Sequence, residues 1–234
     1  HATAGHCMTS QQVWAVLPVK SLAAAKQRLA PLLGAQGRRR LARAMFEDVL
    51  GACAGARSLA GILVVTADPE VAGIGKGAGA LVQEEAEERG TNAAIEAGIR
   101  AVAGIASGVI VLPADVPHVA STAIDAAARL CSRERTLVLV PASRDGGTNV
   151  LACSPPDLIA PCFGPGSFAR HRALATHAEI ETILPSLGAL ELDLDYPEDL
   201  ARFLVLSNDT RTRRVLLDLD VPARLGGTAT FEPA

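Results

Sequence analysis

Aromatic side chains are scarce in this chain: one Trp, one Tyr and five Phe among 234 residues, 3% in all. A core so short of rings must be filled by Ala, Val, Leu and Ile, within a hydrophobic content of 49%. Ala-rich helices beside Val/Ile/Leu-rich strands predict an α/β layer architecture. A dominant charge sign is missing too. The formal net charge is -3, so no basic field exists to hold a phosphodiester backbone, and nucleic acid is excluded as the expected partner. The five cysteines, Cys7, Cys53, Cys131, Cys153 and Cys162, contain no CxxC pair. Neither a zinc site nor a disulfide framework is expected; scattered buried or half-buried thiols in a reducing compartment are. No apolar run is long enough to span a bilayer, and no signal peptide follows Met8. That predicts a cytoplasmic protein with no membrane partner.

Nothing inside the chain reads as a linker, and a single domain over 8–206 is expected. Residues 1–7 read as a tag remnant and 207–234 as a C-terminal extension or tail, with a short extra element or mobile tail from 211 onward. Between them, apolar runs alternate with helical spacings. Strands are predicted at 13–19, 62–66, 80–83, 109–112, 136–141, 149–153, 180–184 and 190–194. Helices are predicted at 32–54, 92–102, 121–130, 167–177 and 197–206. This alternation implies a mostly parallel sheet covered on both faces, with ligands beyond the carboxyl ends of the strands.

The polar clusters fall at those strand ends. Lys20, Lys26 and Arg28 follow the first strand, within Leu17-Pro18-Val19-Lys20 and AAAKQRLA. Three cations there suit a polyphosphate, although the same stretch is good helix sequence for a solvated face. In Arg89-Gly90-Thr91-Asn92, Gly90 permits close backbone approach to a nucleotide base or ribose. Thr91 or Asn92 would equally serve as a plain helix cap. Asp115, in LPADVP, stands at the mouth of the sheet as a hard oxygen ligand for Mg²⁺ or as a simple turn residue. Asp193 and Asp195 share one side of an extended segment, and two adjacent like charges call for a cation between them. Glu198 and Asp199, beside Pro197, read as structural residues of a helix start. The Gly-rich turns DGGTN (145–149) and FGPGSF (163–168) offer backbone N–H groups to an anion, the second at a helix N-terminus. His171 reads as a partly exposed helix histidine, or as a contact for an acceptor carboxylate.

Taken together, LPVKSLAAAKQRL, RGTNAA, LPADVP, DGGTN, FGPGSF with His171, and LDLDYPEDL resemble the phospholactate/phosphoenolpyruvate guanylyltransferases of coenzyme F-420 biosynthesis. These are relatives of the molybdenum-cofactor nucleotidyltransferases. The resemblance runs from about residue 13 to 206; Ser21 stands where proline is common. It implies a Rossmann-like three-layer α/β/α nucleotidyltransferase fold. It implies transfer of GMP from GTP to phosphoenolpyruvate, 2-phospholactate or 3-phosphoglycerate, with release of pyrophosphate and hand-off of the product to the next transferase. It implies GTP contacts by Leu17, Pro18, Lys20, Lys26, Arg28, Gly90, Thr91 and Asn92, with Lys20, Lys26 and Asp115 catalytic. Thr148, Gly164 and Ser167 would hold the phospho-acid, and Asp115, Asp193 and Asp195 magnesium. A cytidylyl- or sugar-nucleotide transferase and a non-catalytic nucleotide-binding module are the competing readings.

Overall fold

A computed structural model describes residues 12–131, 133–206 and 209–226. Seven strands form one sheet in the order β3-β2-β1-β4-β6-β5-β7. They are β1 (Val13–Val19), β2 (Leu59–Thr66), β3 (Leu81–Glu84), β4 (Gly108–Val111), β5 (Thr136–Pro141), β6 (Thr148–Ser154) and β7 (Glu181–Ile183). The helices are α1 (Ala35–Gly55), α2 (Pro69–Gly77), α3 (Thr91–Val102), α4 (Ser121–Leu130), α5 (Ser167–His177), α6 (Pro197–Leu206), α7 (Arg211–Asp218) and α8 (Val221–Arg224).

Strand side chains sort strictly by the two-residue period. Ala15, Leu17, Val64, Ile110, Leu112, Val138 and Val150 pack into one buried cluster with α1, α4 and α6. Val16, Leu63, Val65, Val109, Val111, Leu139 and Leu151 pack into the other with α3 and Ala175 of α5. Helices therefore cover both faces, as the three-layer expectation required. The packing of α3 is especially close. A Cβ on Gly98 would stand 2.6 Å from Val16 Cγ1 and 3.0 Å from Val65 Cγ2, so only glycine lets this helix lie so near the sheet. The edge strands β3 and β7 are short and carry Glu84 and Glu181, which blunts them as templates for pairing.

The sheet is mostly parallel, as expected; β6 runs antiparallel to both β4 and β5, while the other pairings are parallel. The reversal brings the start of β6, Thr148, to the edge where the parallel strands end. Other expectations are corrected. The strand expected at 190–194 is absent: a 3-10 turn over Gly188–Leu190 leads into a segment that joins no strand. That segment still alternates, with Leu192 and Leu194 buried and Asp193 and Asp195 on the open side. The unforeseen helix α2 begins at Asp68-Pro69, where Asp68 Oδ1 accepts the Glu70 N–H at 2.8 Å and Pro69 occupies the first turn. Past residue 206, α7 docks on α1, where Asp48 accepts the N–H groups of Arg211 (3.0 Å) and Thr212 (2.8 Å). The extra element expected there is helical; residues 1–11, 207–208 and 227–234 lie outside the described residues. No described helix is long and apolar enough to cross a membrane.

Candidate active site

The loop after β1 does not form the helix its composition allowed. It makes two 3-10 turns, Leu22–Ala24 and Gln27–Leu29, with Lys26 between them at φ 55°, ψ 42°. A left-handed conformation costs a non-glycine residue about 1–2 kcal/mol. The compensation is electrostatic. Lys26 Nζ lies 2.8 Å from Asp115 Oδ2 and 2.8 Å from Asp195 Oδ1, and its side chain is 7% exposed. Burial pushes the Lys26 ammonium down, but the carboxylates of Asp115 and Asp195 outweigh it and hold its pKa above the ordinary value. The loop is anchored from below, where Asp68 Oδ2 accepts the Leu22 N–H at 2.9 Å.

Asp115 follows β4, and its carbonyl accepts the Leu194 N–H at 3.1 Å, which clamps the acidic segment beside it. Burial, then the neighbouring Asp115 and Asp195 charges, push the Asp193 carboxyl above its usual range. Burial alone would also raise Asp195, but Lys26 and Arg28 pull it below that range. Asp193 Oδ1 is buried without a hydrogen-bond partner. Asp115 and Asp195 thus converge on Lys26, with Asp193 close enough to feel both carboxylates, although among the described residues no three His, Cys, Asp or Glu side chains make a complete ligand set. Magnesium in nucleotide enzymes takes one or two carboxylates and completes its shell with water and substrate phosphates. The orphaned Asp193 oxygen beside Asp115 fits that partial set.

Lys26, Asp115 and Asp195 floor a cleft of ≈ 420 Å³ that also reaches Pro18, Lys20, Glu88 and Thr91. A smaller recess at its far end adds Glu85 and Gly90. Of the residues expected near a nucleotide, Pro18, Lys20, Lys26, Gly90 and Thr91 line these cavities. Leu17 is fully buried inside the sheet. Arg28 is half-exposed, paired with Asp195 Oδ2 at 2.6 Å and stacked on Tyr196 with its Cζ 5.1 Å from the ring centroid. Arg144 covers the same ring at 4.8 Å and pairs with Asp199 at 3.0 Å. Sequence reasoning misses this Arg–Tyr–Arg stack, although Tyr196 is the only tyrosine in the chain. Asp199 is structural as expected, its Oδ2 accepting the Asp195 and Tyr196 N–H groups.

Neither Thr91 nor Asn92 caps α3. Gly90 holds that position at φ 95°, and the Asn92 amide turns away. It donates to the Phe163 carbonyl at 3.1 Å and accepts the Phe163 N–H at 2.7 Å, tying the head of α3 to the second Gly-rich turn. The two Gly-rich turns are also zipped together, so most of their expected free N–H groups are spent. Gly166 N–H donates to Asp145 O, Ser167 N–H to Gly164 O and Phe168 N–H to Gly146 O. Gly147 N–H is held by Asp145 Oδ1 at 2.8 Å. Gly164 remains exposed, at φ 124°, with open space where a side chain would point.

Behind Thr148 lies a buried relay. His171 is 0% exposed, not the part-exposed histidine expected. The Cys162 N–H donates to its Nε2 at 3.0 Å, which leaves Nδ1 to carry the proton of a neutral ring and donate to Thr148 Oγ1 at 2.9 Å. Ser167, fully buried, donates its hydroxyl to the same oxygen at 3.2 Å. Thr148 Oγ1 accepts twice, so its own O–H is left to donate elsewhere. Burial, then the Arg170 charge, push the His171 pKa down to about 4, consistent with a neutral imidazole. Thr148 and Ser167 are thus brought together, with Gly164 at the loop rim.

Residues 13–231 match the family described as guanylyl transferase CofC like. A phosphoenolpyruvate guanylyltransferase of Conexibacter woesei is 37% identical over 189 residues, covering 80% of this chain and 85% of its own. A 3-phospho-D-glycerate guanylyltransferase of Phenylobacterium zucineum is 39% identical over 209 residues, covering 88% and 95%. Among solved structures, a Desulfovibrio desulfuricans G20 protein provisionally described as a nucleotide-diphospho-sugar transferase superposes with a TM-score of 0.74 at 16% identity, covering 92% of this chain and 97% of that one. At that identity the likeness is one of fold.

Proposed function

Because the chain belongs to the CofC-like guanylyl transferase family, we propose that it transfers GMP from GTP to a small phosphorylated carboxylic acid, phosphoenolpyruvate first, with release of pyrophosphate. The observation that carries this reading is the convergence of Lys26, Asp115 and Asp195 on the floor of a cleft that Lys20 and Thr91 also line. A phosphate oxygen of the acid attacks the α-phosphorus of GTP. A new P–O bond forms as the bond to the β-phosphate bridging oxygen breaks, and pyrophosphate leaves with that electron pair.

The attacking oxygen is already anionic, so no general base is needed and positioning with charge neutralisation suffices. Lys26 supplies a fixed, largely desolvated positive charge at the reaction end of the cleft, Lys20 adds charge along its lining, and Arg28 stands behind Asp195 as its partner. Asp115, Asp193 and Asp195 would hold magnesium, which when bound neutralises phosphate charge and orients the triphosphate. Gly164 N–H and the unspent O–H of the largely buried Thr148 would donate to the acid, with Ser167 and His171 bracing Thr148 from behind. The product, a phospho-acid carrying GMP, is activated for a further transfer, which supports hand-off to the next transferase of coenzyme F-420 assembly.

The two relatives above are named for different acids at nearly equal identity. Phosphoenolpyruvate, 2-phospholactate and 3-phosphoglycerate are therefore arms of one experiment. Each is incubated with GTP and Mg²⁺, pyrophosphate release is followed, and the product mass is read. Release with phosphoenolpyruvate fastest is the expected result. Preference for another acid corrects the acceptor, and no release with any of them overturns the reading.

A further inference from the structure

Past the end of β3, Glu85 presents an anomaly. Its side chain is 7% exposed, yet Oε1 is buried without a hydrogen-bond partner. Arg89 Nη2 approaches only to 3.8 Å, beyond hydrogen-bonding reach. A carboxylate oxygen removed from water without a partner is costly, and folded proteins keep few of them. The backbone makes the placement firm: Glu85 N–H donates to Thr66 O at 2.8 Å, extending the β2–β3 ladder by one residue.

Glu85 lines the recess at the far end of the candidate cleft, with Pro18, Lys20, Gly90 and Thr91 around it. Lys26 and the aspartates mark the phosphate end, and the recess lies where the other end of a nucleotide would reach. The recess itself is small, ≈ 20 Å³, and it is open beside Gly90, which at φ 95° has no atom within 4 Å of where a Cβ would stand. The neighbouring acid, Glu88, is already engaged by the Ser21 N–H. Glu85 is thus the carboxylate in the recess with an unspent acceptor.

We propose that Glu85 reads the base of the nucleotide, selecting guanine. Guanine offers two adjacent donors, N1–H and the exocyclic N2 amino group, which match the two oxygens of one carboxylate. Adenine presents a lone pair at N1 and meets the carboxylate with repulsion. Hypoxanthine keeps N1–H but lacks the amino group. The assignment rests on the guanylyl-transfer reading for the identity of the nucleotide, and it adds the residue responsible for the choice.

The test is equilibrium binding of GTP, ITP and ATP to the whole chain, without any acid, for the native protein, Glu85→Gln and Glu85→Ala. A hydrogen bond to a charged group is worth about 10- to 100-fold in affinity. The native protein should prefer GTP over ITP by about 10-fold or more and discriminate further against ATP. Glu85→Gln and Glu85→Ala should bring the GTP-to-ITP ratio close to one, with thermal unfolding unchanged or raised, because a buried carboxylate oxygen without a hydrogen bond has been removed. The ratio is internal to each variant, so partial loss of folding does not blur it. A variant that keeps the native GTP-to-ITP ratio overturns the assignment, as does native binding of ATP equal to GTP. Tight, Glu85-dependent GTP binding without turnover of any acid instead overturns the transferase reading alone.

Discussion

The buried His171 makes a stability prediction that can be worked through quantitatively. In the folded protein its ring is neutral: Nε2 faces the Cys162 N–H and Nδ1 faces Thr148. A second proton would sit on Nε2, donor against donor, in a side chain with no solvent exposure. Burial, with Arg170 nearby, lowers its pKa from 6.5 to about 4. The unfolded chain, with an ordinary histidine, takes up the proton first. The contribution is therefore complete above pH 6.5 and is lost as pH falls toward the folded pKa. At about 1.36 kcal/mol per pKa unit, the loss is roughly 2 kcal/mol by pH 5 and about 3 kcal/mol by pH 4. Urea unfolding of the native protein and His171→Asn, compared from pH 7.5 down to about pH 4.5, isolates this term because the carboxylates titrate alike in both. Asn keeps a donor near the Nδ1 position and cannot be protonated. The native protein should lose stability relative to the variant across that window. A difference that stays level, or that grows in favour of the native protein in acid, would refute a buried neutral imidazole.

Three further outcomes are expected. Asp115→Asn and Lys26→Met should each abolish pyrophosphate release, and Lys26→Met should also lower stability by about 3–5 kcal/mol, since two carboxylates lose their buried partner; turnover by either variant would refute the site. Asn92→Ala removes both bonds to Phe163, so it should raise the KM for the acid several-fold and speed amide exchange over 162–166 while leaving GTP affinity nearly unchanged. The opposite split would make Asn92 a nucleotide contact. Gly98→Ala should cost about 1–3 kcal/mol through overpacking against Val16 and Val65, read as a fall in Tm of roughly 2–4 °C per kcal/mol; an unchanged Tm would show that α3 can lift off the sheet freely.

The layers are legible in the sequence because strand and helix periods carry them. Residues 13–19 form β1 as expected, and α4 and α5 span the residues predicted. Direction is not legible: β6 has the same apolar run whether it lies parallel or antiparallel, and only its pairing partners decide. Asp193 and Asp195 lie in a segment that joins no strand, yet its burial still alternates, Leu192 and Leu194 inward and the two acids less buried, so the two-residue pattern is legible without the pairing. Lys26 reads as a phosphate ligand, but its partners lie 89 and 169 residues away, beyond any local pattern. His171 misleads because a polar residue on a helix defaults to the surface, while its burial depends on a backbone N–H and a hydroxyl from other elements. Glu85 sits in a run of acids that resembles a solvated turn; only burial separates it from Glu84, Glu87 and Glu88.

The reversal of β6 has a consequence for how such enzymes diversify. It gathers Asp145, Thr148, Gly164, Ser167 and His171 into one continuous stretch, 145–171, whose turns bond mainly to each other. The groups proposed to bind nucleotide and phosphate come instead from the loops after the preceding strands and from the later acidic segment. With the acid held there as proposed, acceptor choice would be carried by a cassette that the sheet fixes through the pairing of β6 with β4 and β5, and that Asn92 to Phe163 and Asn149 to Leu190 tie further to its surroundings. Exchanging that cassette between relatives named for different acids, with Asn92 and its partner carbonyl kept, is a route to moving acid preference while the guanylyl chemistry stays in place.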